Sequence, residues 1–216
     1  MEALPAGPPD TLVHVVDFDD ATRRPLCGWL AAAGIGSRTY PSLAALLNAH
    51  PADVPGCVII DAELWAVSGL ELRSILQPLG IQHPIVVTAY HAEVAMAVRA
   101  MKTGAIDFVE KPLREHEILA AVQAAIEVDC EQRRAASRRA QVQARFATLS
   151  PREKQVMALV TAGKLNKQVG GDLGLSEITV KAHRGAAVRK MGARSLADLV
   201  RMADMIGEGL NFRSDG

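Results

Sequence analysis

Short β-branched runs alternate with segments of helical period along the front half of the chain, and this alternation constrains the fold more than any other feature. The predicted strands that breakers bound are Leu12–Val16, Gly56–Ile60, Ile85–Val87 and Ile106–Val109, and a fifth strand is predicted near Ser37–Tyr40. Helical spacing is found at Ser42–Ala49, Leu70–Leu79 and Ala92–Lys102. Strands that alternate with helices form a parallel sheet that is covered on both faces. The front half is therefore predicted to be an α/β domain.

A stretch without breakers follows this domain. From Arg114 to Ala147 there is no glycine or proline, which favours one long helix or two helices with a short break. Large residues are scarce at the heptad a and d positions of its later part, so a solvated spacer is favoured there over a weak dimer helix. We predict a front domain over residues 11–126, a helical linker over 127–148 and a back domain over 149–209.

The charge of the chain differs between its ends. The chain has 24 basic and 24 acidic side chains, but the net charge is −6 over residues 1–126, +2 over 127–150 and +4 over 151–216. An acidic front and a basic back suggest different partners for the two ends.

The sequence also indicates the cellular location of the chain and the redox state of its cysteines. The apolar stretches are well short of the roughly 20 residues that span a bilayer, and the first residues lack the basic and apolar regions of a leader. We therefore expect a cytoplasmic chain with no membrane partner. Cys27, Cys57 and Cys130 are too scattered for a disulfide framework or a thiolate metal site, so they are interpreted as reduced packing residues.

Helix start and stop signals recur in the back domain. Ser150 is followed by Pro151 and Glu153, which together form a capping box. Ser176 repeats the start signal directly after Gly174 has ended the previous helix. Two helices joined by a tight turn that contains glycine, in a small basic domain, are typical of a helix-turn-helix.

A helix over Glu177–Met191 is predicted to have two different faces. The apolar residues that its period turns inward are Ile178, Val180 and Val188. The cations that it projects toward an anionic surface are Lys181, Arg184 and Arg189. Lys164 and Lys167 lie near the start of the preceding helix, where side chains and amide groups can hold phosphates. Such an arrangement fits the major groove of DNA.

Several landmarks of this domain occur together. They are Leu149-Ser150-Pro151-Arg152-Glu153, Asn166-Lys167, Leu173-Gly174-Leu175-Ser176, Thr179-Val180-Lys181, His183-Arg184 and Lys190-Met191-Gly192. With them, the segment Leu149–Ala203 resembles a LuxR-type DNA-binding domain, a four-helix unit. The resemblance implies binding to promoter DNA, with two copies on a two-fold-symmetric site. The DNA-binding residues that we predict are Lys164, Lys167, Thr179, Lys181, Ala182, Arg184, Gly185 and Arg189.

Among these residues, the resemblance makes Lys181, Ala182 and Gly185 the positions that face the groove. Only Lys181 has a side chain that forms hydrogen bonds, so we expect sparse base readout by this helix, with help from Arg184. The alternative interpretation of the cations is a solvated helix face. His183 has no second ligand at i+4, which favours packing or phosphate contact over metal binding.

Three glycines depart from helical preference. Gly170, Gly171 and Gly185 lie inside predicted helices, and each is expected to cost about 1 kcal/mol relative to alanine.

Four segments of the front domain end or follow predicted strands. They are Val13-His14-Val15-Val16-Asp17, Val58-Ile59-Ile60-Asp61, Val86-Val87-Thr88-Ala89 and Phe108-Val109-Glu110-Lys111-Pro112. With them, the stretch from Leu12 to about Ala125 resembles the receiver domain of two-component response regulators, in its FixJ-like branch. The resemblance implies a doubly wound, flavodoxin-like parallel sheet of order 2-1-3-4-5, with its site at the carboxyl ends of the central strands.

The resemblance also implies the chemistry of this site. Asp61 takes a phosphoryl group from a sensor histidine kinase, and Lys111 pairs with a phosphoryl oxygen. Thr88 offers its hydroxyl to the same group, and Phe108 changes rotamer when Thr88 moves. The peptide bond between Lys111 and Pro112 is expected to be cis.

A Mg²⁺ ion is the implied cofactor. Its ligands are Asp17, Asp61 and the backbone carbonyl of Glu63. Receivers carry two adjacent acids after the first strand, whereas here Phe18 follows Asp17, which should weaken binding of the metal. Asp19 directly follows Phe18, and backbone periodicity is expected to direct its side chain away from the metal site. Trp65 and Phe18 are further expected to place apolar bulk around the acidic pocket.

Three interpretations of Asp61 follow. It is a phosphoacceptor with reduced metal affinity, or it belongs to a pseudo-receiver controlled by a partner, a small ligand or dimer contacts. The third interpretation, a simple cap of a strand end, gains nothing from the presence of Thr88 and Lys111.

The whole chain is interpreted as a two-domain transcriptional response regulator in which a receiver controls DNA binding, with no enzymatic activity. An enzyme on a flavodoxin-like fold and a protein-interaction module are the alternatives, because sheet topology does not decide function.

Overall fold

The computed structural model describes residues 11–49, 53–66, 82–90 and 93–207. The chain divides into two compact units between Arg133 and Arg134, and each unit has hydrophobic cores of its own. Within the described ranges, no helix combines the length and the apolarity that a membrane crossing requires. The predicted helix Leu70–Leu79 lies outside the described residues.

A five-stranded parallel sheet forms the centre of the first unit. Its strands are β1 Leu12–Val16, β2 Gly36–Tyr40, β3 Gly56–Asp61, β4 Ile85–Ala89 and β5 Asp107–Glu110. Their order is β2-β1-β3-β4-β5, which confirms the predicted topology. Every predicted run forms a strand, although β4 continues beyond the predicted end at Val87 through Thr88 and Ala89. The chain order reverses between β1 and β3, where sheets of this kind have their binding crevice.

Apolar cores cover both faces of this sheet. Val13 and Val15 of β1 belong to one core and Val16 belongs to the other, because successive side chains of a strand point to opposite faces. β3 is divided in the same way, with Ile59 on one face and Ile60 on the other. A sheet buried on both faces explains why its strands are almost continuously apolar.

Four of the described helices of the first unit connect the strands. They are α1 Asp20–Ala32, α2 Leu43–Asn48, α3 Ala62–Ala66 and α4 Val94–Lys102. The sequence analysis did not predict α1, because Pro25 lies inside it and proline usually breaks a helix. Asp19 caps this helix by accepting a hydrogen bond from the Ala21 N–H at 2.9 Å. Leu26 and Leu30 of α1 are fully buried against the sheet.

The stretch without breakers forms a single helix, α5 Glu115–Ala147, which is one of the two predicted alternatives. Ile118 and Val122 of α5 lie in the core beneath the sheet. Further along α5, the buried carboxylate of Asp129 accepts hydrogen bonds from the Gly56 N–H at 2.9 Å and from Nε of Arg133 at 2.7 Å. These bonds fix this part of the helix to the beginning of β3.

The second unit contains the end of α5 and four more described helices. They are α6 Pro151–Thr161, α7 Asn166–Leu173, α8 Glu177–Met191 and α9 Leu196–Ile206. The capping box of Ser150 and Glu153 is present, and Ser176 accepts a hydrogen bond from the Thr179 N–H at 3.2 Å. Gly174 ends α7 with a φ of 65°. These caps confirm the start and stop signals in the sequence.

The inward face of α8 differs in one residue from the prediction. Val180 is fully buried among valines of α6 and α7, and Val188 packs against a second core. Ile178, however, is 82 % exposed, so the prediction that it turns inward is wrong. Two residues correspond to about 200° around a helix, so Val180 can face the core only if Ile178 faces away from it.

The glycines of α7 also differ from expectation. A Cβ on Gly170 would lie 2.7 Å from the carbonyl oxygen of Leu175, whereas a Cβ on Gly171 would meet nothing within 4 Å. Gly170 is therefore required by the close approach of the turn that follows α7, and its helical cost is offset by packing. Gly171 has no such packing role, so it only destabilises the helix relative to alanine.

Candidate functional sites

An acidic pocket lies at the carboxyl ends of the central strands. Asp17 directly follows β1, Asp61 ends β3, Thr88 lies in β4, and Lys111 directly follows β5. All four residues are at most 4 % exposed. The parallel sheet thus brings together four of the residues that the sequence predicts for the site. The peptide bond from Lys111 to Pro112 is cis, as predicted.

The Lys111 ammonium joins the two carboxylates of this pocket. Nζ of Lys111 donates to Oδ2 of Asp17 at 2.6 Å and also donates to Oδ2 of Asp61. The other carboxylate oxygens accept backbone N–H groups, Asp17 Oδ1 from Asp19 at 2.8 Å and Asp61 Oδ1 from Glu63 at 2.7 Å. Every oxygen of the two carboxylates is therefore held, and the pair has a fixed geometry.

The charges of the pocket do not balance. Burial by itself would lower the pKa of Lys111, but the hydrogen bonds and negative charges of Asp17 and Asp61 together raise that pKa above its usual value. Lys111 is consequently charged at neutral pH, and by formal charge the two carboxylates around one ammonium leave one negative charge in excess. This excess attracts a further cation and repels a free anion.

Asp19 serves the start of α1 more than the pocket. Its carboxylate accepts hydrogen bonds from the Ala21 N–H and, at 3.1 Å, from the Thr22 hydroxyl. The Ala21 N–H in the first place, with the Thr22 hydroxyl and the charge of Lys111 adding to it, lowers the pKa of Asp19 below its usual value. Asp19 therefore does not replace the acid that Phe18 displaces.

Tyr90 and Arg23 border the pocket, and the sequence analysis missed both. The Tyr90 ring lies with its centroid 4.8 Å from Nζ of Lys111, and its hydroxyl lies 3.5 Å from Oδ2 of Asp19. Arg23 donates to the backbone carbonyl of Asp17. Tyr90 directly follows β4, so its position at the carboxyl end of a central strand was the signal that could have identified it.

Thr88, Phe108 and Glu63 are the other residues predicted for this site. Thr88 is the register partner of Asp61 on the neighbouring strand, with its hydroxyl 3.5 Å from the carbonyl oxygen of Ile60. Phe108 is partly buried against the core on one face of the sheet. Glu63 lies in the first turn of α3 with an exposed side chain.

The donor set of the pocket fits Mg²⁺. Asp17 and Asp61 place two carboxylates side by side, and Mg²⁺ is commonly bound through one or two carboxylates with several retained waters. The described residues contain no group of three acidic, histidine or cysteine side chains that could hold a metal. Phe18 supplies no oxygen, and its side chain is 51 % exposed. The side chain of Trp65, to which the sequence analysis gave a part in the pocket, lies outside the described residues.

A second candidate site is the exposed face of α8. Lys181, Ala182 and Arg189 are exposed, and Gly185 is partly exposed. Arg184 is partly buried because its Nη1 donates to Oδ1 of Asn166, at 3.3 Å, at the start of α7. The arrangement presents cations and small residues along one helix.

The cations near the start of α7 extend this basic surface. Lys164, Lys167 and Arg184 line one surface depression. Lys164 forms an ion pair with Asp172 at 2.7 Å, whereas Lys167 is exposed and has no ion pair among the described residues. Thr179 is partly exposed, and its hydroxyl lies 2.8 Å from that of Ser176, so it supports the cap of α8.

Comparisons with known proteins assign a family to each of the two domains. Residues 13–123 match the family described as response regulator receiver domain, and residues 147–203 match bacterial regulatory proteins, luxR family. The chain is similar to Nodulation protein W of Bradyrhizobium diazoefficiens, with 44 % identity over 93 % of this chain and 88 % of that protein. It is similar to the transcriptional regulatory protein FixJ of Azorhizobium caulinodans, with 41 % identity over 92 % of this chain and 95 % of that protein.

Two solved structures of response regulators are also similar to this chain. The structure of the response regulator StyR is similar with a TM-score of 0.75 and 36 % identity, over 90 % of this chain and 98 % of that one. Full-length FixJ from B. japonicum is similar with a TM-score of 0.51 and 34 % identity, over 91 % and 97 %.

Proposed function

The chain belongs to the DNA-binding transcriptional response regulators that join a receiver domain to a LuxR-type domain, and from that premise we propose that phosphorylation of Asp61 controls its binding to promoter DNA. The observation that carries the proposal is the buried contact of Lys111 with both Asp61 and Asp17. A lysine held against the acceptor carboxylate is placed to bind an oxygen of the phosphoryl group when that group arrives.

The chemistry of the proposed step is a transfer between two nucleophiles. A carboxylate oxygen of Asp61 attacks the phosphorus of a phosphohistidine on a sensor kinase, the new P–O bond forms, and the P–N bond breaks. The electron pair of the broken bond stays on the imidazole nitrogen. Lys111 moves from the carboxylate to a phosphoryl oxygen, and the Thr88 hydroxyl, on the neighbouring strand, donates to the same group.

Asp17, Asp61 and the backbone carbonyl of Glu63 would hold Mg²⁺ at this site. The ion, when bound, lowers the repulsion between the carboxylates and the incoming phosphoryl oxygens. The excess negative charge of the pocket supports binding of a cation, and the absence of an acid at Phe18 makes that binding weaker than in receivers with two adjacent acids.

The output is assigned to α8. Lys181, Ala182 and Gly185 would face the major groove, with Thr179, Arg184 and Arg189 beside them. Lys164 and Lys167 would hold phosphates and so fix the register of the helix. Two copies bound to a two-fold-symmetric operator would place half-sites about one turn of DNA apart. A cytoplasmic location follows from the proposed partner, promoter DNA.

A second candidate is favoured by one observation, the phenylalanine at position 18. If the two carboxylates, which are paired with Lys111, bind the metal too weakly for phosphoryl transfer, the first unit is a pseudo-receiver controlled by contacts with a partner, a ligand or a second copy. In that case the ion pair of Lys111 with Asp17 and Asp61 is a permanent feature of the fold.

Incubation of the full chain with acetyl phosphate and Mg²⁺, read by intact mass, separates the two candidates. We expect a species heavier by about 80 Da, the mass of an HPO₃ unit, that is absent from Asp61→Asn and present in Asp107→Asn, whose exposed carboxylate lies outside the pocket. No adduct on the wild-type chain, under conditions that modify an ordinary receiver, would favour the pseudo-receiver.

A further inference from the structure

The most exposed large apolar side chain among the described residues belongs to Ile178, at 82 %. It lies in the first turn of α8, where the core beneath the helix is already filled by Val180. Ile178 therefore contributes nothing to the packing of its own unit. An isoleucine that is fully presented to solvent on the helix assigned to DNA needs a different explanation.

The position of Ile178 on the helix connects it with the groove-facing residues. Lys181, Ala182 and Gly185 follow it by three, four and seven residues, and this spacing places all four on one stripe of α8. Ala182 and Gly185 are small, so the helix backbone can approach a partner closely along this stripe. Ile178 and Lys181 are then the two side chains that extend beyond it.

The side chains in and around this stripe indicate what kind of molecule binds to it. Cations flank it, with Lys181 and Arg189 exposed on α8 and Lys164 and Lys167 near the start of α7, so the partner is an anionic surface. An apolar side chain amid cations needs an apolar group on that anionic partner. On the major-groove edge of DNA bases, the apolar group is the C5-methyl of thymine.

We propose that Ile178, together with the Ala182 methyl, reads thymine in the operator by contact with its C5-methyl group. The inference rests on the proposed assignment of α8 to DNA and adds a source of sequence specificity to it. It also explains how a stripe with one hydrogen-bonding side chain, Lys181, can distinguish base pairs. Apolar readout needs no hydrogen-bond donor, and A·T pairs differ from G·C pairs by this methyl group in the major groove.

The test uses the full chain and a selected DNA. The preferred site is first selected from random duplexes, with the chain treated with acetyl phosphate and Mg²⁺ and with the untreated chain. Each thymine of that site is then replaced singly by deoxyuridine, which removes only the methyl group. We expect at least one position at which this replacement weakens binding of the wild-type chain about fourfold, as loss of one buried methyl group would.

The variant Ile178→Ala supplies the second arm of the test. At the same position, the variant should discriminate between thymine and deoxyuridine clearly less than the wild-type chain does, because only the Ala182 methyl still contacts the C5-methyl group, so that the two changes are coupled in a double-mutant cycle. Leu165→Ala is the matched control, because Leu165 is also a large exposed side chain of this unit, at 71 %, but lies outside the stripe. This control should keep the wild-type preference for thymine, whatever its effect on total affinity.

Three results would overturn this proposal alone. The first is that no deoxyuridine replacement weakens binding of the wild-type chain, although the chain binds its site in a salt-dependent way; this leaves the proposed function intact. The second is that Ile178→Ala retains the full wild-type preference for thymine over deoxyuridine. The third is that Ile178→Ala changes the oligomeric state of the chain without DNA, which would assign the side chain to a protein contact. Failure to bind any duplex, treated or untreated, would instead overturn the proposed function and this inference with it.

Discussion

Nζ of Lys111 lies 2.6 Å from Oδ2 of Asp17, and both side chains are almost completely removed from solvent. The two residues are far apart in the sequence, and the carboxyl ends of parallel strands bring them together. Because the same ammonium also contacts Asp61, this pair determines both the stability of the pocket and its readiness for a phosphoryl group.

Lys111→Met is expected to destabilise the first unit. Removal of the ammonium leaves two buried carboxylates without a counter-ion, which should lower the free energy of unfolding by about 3–5 kcal/mol. Urea denaturation followed by tryptophan fluorescence measures this unit alone, because both tryptophans, Trp29 and Trp65, belong to it. Arg114→Met is the control: its ion pair with Glu117 is exposed, and its loss should change stability by less than about 1 kcal/mol. Equal effects of the two variants would contradict the buried pair.

The buried imidazole of His14 predicts a loss of stability at mildly acidic pH. Burial in the first place, with the nearby His83 and Arg38 adding to it, lowers the pKa of His14 from 6.5 to about 4. Below pH 6.5, His14 therefore binds a proton in the unfolded chain but stays neutral in the folded chain. The free energy of unfolding should be highest above pH 6.5. It should decrease by roughly 3 kcal/mol in total as the pH falls toward 4.

His14→Leu should remove this dependence, since leucine takes up no proton. Urea denaturation between pH 7 and pH 4.5 measures the effect, and the pH window separates it from that of Asp19, whose lowered pKa acts only below its usual value of 3.8. His116→Gln, at an exposed histidine, should leave the wild-type curve unchanged. A wild-type curve that is flat between pH 6.5 and 5 would be inconsistent with a buried neutral His14.

Gly170 and Gly171 should respond in opposite directions to the same substitution. Gly170→Ala places a Cβ against the carbonyl oxygen of Leu175, and such overpacking commonly costs about 1–3 kcal/mol. Gly171→Ala meets open space and should stabilise α7 by about 1 kcal/mol, because alanine is the better helix former. Amide hydrogen exchange in α7 and α8 of the full chain measures both changes in the second unit. Destabilisation by Gly171→Ala would show that the space beside it is not free.

That the sheet is parallel and covered on both faces could be predicted from apolar runs that helices interrupt, whereas its order 2-1-3-4-5 was implied by the resemblance to receiver domains. The acidic pocket of Asp17, Asp61 and Lys111 was implied by the same resemblance, and each of these residues ends or directly follows such a run. Where strands are parallel, position at a carboxyl end is enough to place residues together, even without knowledge of any distance.

Other features depend on packing that the sequence does not display. Helix α1 was missed because Pro25 interrupts a segment whose stability comes from Leu26 and Leu30 in the core. Ile178 was assigned to the core because its hydrophobicity was considered without the competing position of Val180 on the same helix. The need for glycine at Gly170 arises from the backbone of Leu175, which local helix propensity cannot reveal.

Phe18→Asp is predicted to strengthen binding of Mg²⁺ to the pocket. The substitution restores an acid next to Asp17, where Phe18 is half exposed and can be replaced without loss of a core contact. A third carboxylate adds negative charge to a site that already has an excess of it, and we expect about tenfold higher affinity, or about 1.4 kcal/mol. Fluorescence of Trp29, which lines the cavity beside Lys111, can follow the titration.

Phe18→Asn separates charge from size in this experiment. It has nearly the shape of the aspartate without its charge, so it should leave Mg²⁺ affinity close to that of the wild-type chain. The Asp variant should also be phosphorylated by acetyl phosphate at a lower Mg²⁺ concentration. If Asn and Asp variants bind Mg²⁺ equally, the acid at this position is not what limits the metal.

Lys164 and Lys167 should contribute unequally to DNA binding, although both lie near the start of α7. Lys167 is exposed and has no ion pair in the described part of the chain, so a phosphate can bind it directly. Lys167→Gln should therefore weaken binding to all duplexes alike and reduce the slope of log K against log salt by about 1. Lys164 first has to leave Asp172, at 2.7 Å, so Lys164→Gln should reduce the slope by less.

Asp172→Asn, which releases Lys164, should raise both the affinity and the slope. Salt titrations of binding by fluorescence anisotropy measure all three variants, and equal slopes for Lys164→Gln and Lys167→Gln would mean that the ion pair does not persist on DNA.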